Sequence, residues 1–158
     1  YLRIDDTKGA TAHYQWFEKM LDDDSGEPFH RTGWTLTLHR NGLDQDAERM
    51  LLIAMLKNLY LFPVLFGEDP PTIDGWHGSN WEELDYITEA PKWMLTLWTE
   101  DELEWAKGIY YSDQAVRIRD RYITISQFLE LERPGEKRSA LVMESSKLER
   151  GDYSSLGN

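Results

Sequence analysis

Residues 47–62 read AERMLLIAMLKNLYLF, and the reading of this run decides the fold. Between Met50 and Leu56 apolar side chains fall on nearly every side of a helical projection, the pattern of a helix buried all round. Lys57, Asn58 and Pro63 interrupt it. A lysine near the middle of a bilayer costs roughly 2.5–3.5 kcal/mol on insertion scales, so the run is expected to be a central core helix and not transmembrane.

On its N-terminal side lies WTLTLHRNG (34–42), in which Trp34, Leu36 and Leu38 alternate with Thr35, Thr37 and His39. That period of two, closed by Asn-Gly, predicts a strand entering a short β-hairpin. Further upstream, TAHYQWFEKMLDDD (11–24) predicts a helix capped by Thr11, with Trp16, Phe17, Met20 and Leu21 as its apolar face, stopped by SGEP.

On the C-terminal side, FGEDPPTIDGWHGSN (66–80) is rich in Gly, Pro and Asp and predicts a loop. Ser79 with Glu82 has capping-box spacing and opens a short helix that ends before Pro91. WTEDELEWAKG (98–108) carries a fuller helix start. Thr99 can cap, Glu102 can reach back, Trp98 can staple onto Leu103, and Gly108 is expected to end the helix. From about Ser112 to Glu132, Ala115, Ile118, Tyr122, Ile125 and Leu129 recur at spacings of three and four, a core-packing stripe that Val116, Ile123 and Phe128 are expected to widen. The remainder after RPGEKR (133–138) is weakly patterned and is expected to be an extended arm, docked through Leu141, Val142 and Met143.

The resulting fold class is mainly α: a small domain of four to five helices over residues 1–133, with at most one short β-hairpin, and an extended C-terminal arm over 134–158. A chain of 158 residues suits one core. Tyr1 in place of an initiator Met fits a processed product or a piece of something longer, and YLRIDDTKG has no apolar segment of the signal-peptide kind.

Charge and composition narrow the function classes. The formal net charge is −12, and residues 68–104 alone hold 11 acidic residues against 1 basic. Such a surface repels phosphate backbones and disfavours nucleic-acid binding, while suiting a basic partner. With no Cys, thiolate metal sites and thiol nucleophiles are excluded. His13, His30, His39 and His77 lack metal-ligand spacing, so no metal site is expected. In DDDSGE (22–27) the calcium-loop register places Leu21 at the first ligand position, and the motif fails there. Walker, G-x-G-x-x-G, G-x-S-x-G and S-x-x-K motifs do not occur. No catalytic residue is therefore assigned, and the acidic pairs in helix first turns read as helix starts.

Five of the 7 Trp, namely Trp76, Trp81, Trp93, Trp98 and Trp105, fall within thirty residues that largely overlap this acidic region. They are read either as a satellite aromatic core or as anchors for a protein or for an apolar, pigment-like ligand, with His77 beside Trp76 as a donor or axial ligand. No cofactor is required on this reading.

The order of MLLIAMLKNLYLF, Trp81, Tyr86-Ile87 with Pro91, then W-T-E-D-E-L-x-W-x-x-G and an Arg-bearing helix with Tyr122, resembles the helical insertion of SET-domain protein lysine methyltransferases of the Rubisco large-subunit methyltransferase type, over residues 44–125. The resemblance implies a protein-lysine-binding lobe, S-adenosylmethionine as methyl donor and a plastid or other organelle as location. The Asn-His element and catalytic Tyr segment of that family are absent from this sequence, so no catalytic role carries over. The leading expectation is a non-enzymatic structural or linker subunit that binds other proteins in a larger, organellar or membrane-associated assembly. The alternatives are a methyltransferase lobe and an acidic nucleic-acid mimic.

Overall fold

A computed structural model describes residues 1–4, 6–21 and 26–156. Nine α-helices and three single 3-10 turns make up these described residues, with no strand among them. The central position belongs to α3 (Asp44–Lys57), as the opening run predicts. It pairs most extensively with α2 (Pro28–Arg40) and also packs on α7 (Glu100–Tyr110), α8 (Asp113–Leu131) and α9 (Glu136–Glu149). Every residue from 51 to 63 is buried.

The core run is not one helix. It breaks at Asn58, whose backbone is extended, before the short α4 (Leu61–Leu65). Pro63 lacks the N–H that a continuous helix would require there, and its ring would crowd the carbonyl of Leu59. At the break the Asn58 side chain accepts from the amide of Tyr60 (2.9 Å).

The expected hairpin at 34–42 is instead the second half of α2, and the structure shows why a helix wins. Pro28 occupies the first helical turn and the Glu27 carboxylate accepts from the amides of Phe29 and His30, a helix start embedded in the supposed stop signal. Both sides of the apparent alternation are buried. Thr32, Thr35 and Thr37 donate their hydroxyls to the carbonyls of Pro28, Arg31 and Gly33 four residues back (2.7, 3.0 and 2.9 Å), so the polar positions are satisfied within the helix itself. Asn-Gly then serves as a helix end: Gly42 has φ 71°, and the Leu43 amide donates to the carbonyl of Leu38 (3.1 Å).

Three further expectations are corrected. α1 (Thr7–Met20) is capped by Asp6, whose carboxylate accepts from Gly9 N–H (2.8 Å), and Thr11 lies inside it. Its buried face is Ala10 and Tyr14, while Trp16, Met20 and Leu21 are exposed. α7 runs through Gly108 to Tyr110, because an exposed glycine with no C-terminal capping role is tolerated in a helix that both neighbours support. Finally, the C-terminal arm is helical over most of its length. α9 docks on α3 and α8 through the fully buried Leu148, with Val142 and Met143 facing outward. The central stripe on α8 holds as predicted, with Ala115, Ile118, Tyr122, Ile125 and Leu129 buried, but it is narrower than expected: Val116 and Ile123 are half-buried and Phe128 is exposed. The DDDSGE stretch lies outside the described residues at 22–25.

Among the described residues no helix is long and apolar enough to cross a membrane.

Candidate functional site

The aromatic residues singled out in the sequence fall into three separate places. Trp76, His77 and Trp81 share one loop; Trp93 and Trp98 line a cavity; Trp105 stacks on His39 with ring centroids 4.0 Å apart. Of the six, Trp76, Trp81 and Trp93 are 40%, 44% and 40% exposed, whereas Trp98 is buried in the main apolar core.

The 76–82 loop owes its position to backbone contacts. Trp76 N–H donates to the carbonyl of Ser126 (3.1 Å), and the Ser126 hydroxyl donates back to the carbonyl of Trp76 (2.6 Å). Gly75 permits this: a Cβ there would run into the side chain of Ser126. From the other side, the buried amide of Asn58 donates to the carbonyls of Trp81 (2.7 Å) and Glu83 (3.0 Å). The loop is thereby fastened to α8 and to the α3 break while both indoles remain at the surface, with the Arg138 guanidinium 5.5 Å from the Trp76 ring.

The local capping differs by one residue from the expected box. Ser79 accepts from Trp81 N–H (3.0 Å), forming a single 3-10 turn (Asn80–Glu82), and the Glu82 carboxylate accepts from Gly78 N–H (2.9 Å). Glu82 is turned inward. Burial raises its pKa, the Gly78 amide opposes this, Glu149 raises it further, and His77 and Lys57 work against the rise. The net direction is upward, and the nearest His77 nitrogen stands 3.9 Å from its carboxylate.

Beneath the loop lies an ionic link that the sequence did not announce. Lys57, 7% exposed, donates to Glu149 (2.7 Å), and Tyr122 donates its hydroxyl to the other oxygen of the same carboxylate (3.1 Å). Burial, reinforced by Glu149, holds the Tyr122 hydroxyl in its protonated form well above its ordinary range. A sequence clue existed in Lys57 itself, the single cation inside an apolar run, which needs an anion wherever it is buried. Its partner 92 positions away could not be named from spacing.

The capping box of Thr99 and Glu102 forms as read. Glu102 N–H donates to Thr99 Oγ1 (3.3 Å) and Thr99 N–H donates to the Glu102 carboxylate (2.8 Å). That carboxylate also pairs with Arg40 (2.7 Å), which donates in turn to the carbonyl of Leu97 (2.8 Å). Burial would raise the pKa of Glu102, yet Arg40 and the Thr99 amide outweigh it and the net direction is downward.

The acidic segment that carries these indoles is open. Asp69, Asp74, Glu83, Asp85, Glu89 and Asp101 are exposed and form no ion pair among the described residues. Among the described residues no group of three or more His, Asp or Glu side chains is placed to hold a metal ion. No family model, curated protein or solved structure matches this chain.

Proposed function

We propose that this protein is a docking subunit of a larger assembly, acting by binding and not by turnover, and that the acidic segment 68–104 presents Trp76 and Trp81 to a basic protein partner. The observation that carries the reading is that these two indoles stay 40% and 44% exposed although the loop bearing them is fixed at both ends by hydrogen bonds to its backbone. Rigid, exposed Trp side chains are the residue type that most often anchors protein interfaces, because they bury a large apolar area at small entropic cost. Unpaired carboxylates around them steer a cationic surface into register.

The test is titration with a synthetic amphipathic helix of alternating Lys and Leu faces. Binding is expected, weakening with added salt, and Trp76→Ala with Trp81→Ala is expected to reduce it by about 30-fold or more, the loss of a typical hot spot. Salt-insensitive binding, or equal affinity for the double variant, would sink the proposal. Heat on adding S-adenosylmethionine to the purified chain would replace it with the methyltransferase-lobe reading.

A further inference from the structure

A cavity of about 470 Å³ separates the N-terminal helices from the segment around α6 (Lys92–Leu95). Its walls include the rings of His13, Tyr14, Phe29, Trp93 and Trp98. That volume and that predominance of aromatic walls are what small-molecule sites show. Independently of the docking surface above, we infer that this cavity binds a neutral, flat aromatic molecule bearing one hydrogen-bond acceptor, received by the Tyr14 hydroxyl.

Three observations choose this class. Tyr14 is more than nine-tenths buried, lines the cavity, and its hydroxyl makes no hydrogen bond with any described residue. A hydroxyl that lines the cavity with no acceptor among the described residues can give its hydrogen bond to an acceptor on an occupant. Its position is built in, since Gly33 leaves the space the hydroxyl fills and a Cβ there would collide with it. Burial, with Glu27 adding to it, keeps the hydroxyl protonated and therefore a donor.

The remaining polar groups argue for neutrality. The Glu27 carboxylate in the wall is already engaged, accepting from Phe29 N–H (2.9 Å), from His30 N–H and from the Tyr86 hydroxyl (2.6 Å). The Arg3 guanidinium lies 5.4 Å from the Trp93 ring at the cavity wall. With Glu27 already engaged and the Arg3 guanidinium set against the Trp93 ring, neither of these two charged groups calls for a charged occupant. The indole, phenol and phenyl rings in the wall favour a flat occupant that can stack or meet them edge-on.

Coumarin, which is neutral, planar and carries a carbonyl acceptor, is the probe, with naphthalene as the ring without an acceptor and coumarin-3-carboxylate as the anion. Binding is followed by calorimetry and by quenching of Trp fluorescence. Coumarin is expected to bind, and Tyr14→Phe to weaken it about three- to tenfold, the loss of one hydrogen bond, while leaving naphthalene unchanged. Trp93→Ala, which removes an exposed ring and spares the core, is expected to weaken both and serves if Tyr14→Phe does not fold. Absence of coumarin binding up to its solubility, equal affinity in Tyr14→Phe, or tighter binding of the carboxylate would overturn the inference.

Discussion

At the scale of single residues, the carboxylates carry opposite signs. Glu102 and Glu144 are held below the ordinary carboxylate value, the first by Arg40 and the Thr99 amide against the pull of burial, the second chiefly by Arg121. Their stabilisation is present above that value and is lost as pH falls through the folded pKa. Glu82 runs the other way. Its folded pKa lies above the reference of 4.5, so its contribution is fully present below 4.5 and is lost as pH rises through the raised value. Glu82→Gln, which keeps the acceptor for Gly78 N–H, is therefore expected to raise the urea midpoint at pH 7 relative to the parent and to leave it nearly unchanged at pH 4. An equal effect at both values would contradict this. None of these shifts was legible in the sequence, because each depends on partners such as Arg40, 62 residues from Glu102. What the sequence did disclose was local: Thr99 and Glu102 are three apart, and three-residue reciprocity needs no tertiary knowledge.

Among the helices, the legible ones were those whose pattern and burial agree. The α8 stripe could be read because one face alone is buried, so a spacing of three and four marks it. α2 misled because residues 31–38 are buried on all sides. Once all sides are covered, periodicity carries no information about the period, and the alternation of Thr with Leu reflects threonine's capacity to bond its own backbone. α9 was missed for a related reason: Leu148 is its one buried residue, too little to make a stripe. The candidate loop fared between these. Its irregularity followed from Gly and Pro, but the division of the five Trp among three places did not, since nothing in their spacing separates a ring above Arg138 from one in the core. Gly42 gives a direct check on the α2 assignment. A side chain there meets open space, so Gly42→Ala should cost only the left-handed backbone strain, about 1 kcal/mol. A hairpin turn at Asn41-Gly42 would be refuted by helical chemical shifts over 34–40.

Across the whole molecule, the segment expected to be an extended arm folds as α9 and completes the core. Leu148 is fully buried and Glu149 neutralises Lys57 while accepting from Tyr122. Truncation after Pro134 would remove the carboxylate paired with Lys57, a change that costs about 3–5 kcal/mol in comparable buried pairs, tempered here because that carboxylate is partly exposed. The shortened chain is expected to lose its cooperative melting transition, whereas Lys57→Met in the same truncation should recover part of it. A truncated chain melting like the parent would show that α9 is ornamental. The same link bears on how the protein is made. Residues 57 and 149 are 92 apart, and translation proceeds at about 5–20 residues per second. Each nascent copy therefore spends roughly 5–20 s on the ribosome with its central helix emerged and its internal cation still waiting for a counter-charge, an interval in which a chaperone, or water, must stand in for α9.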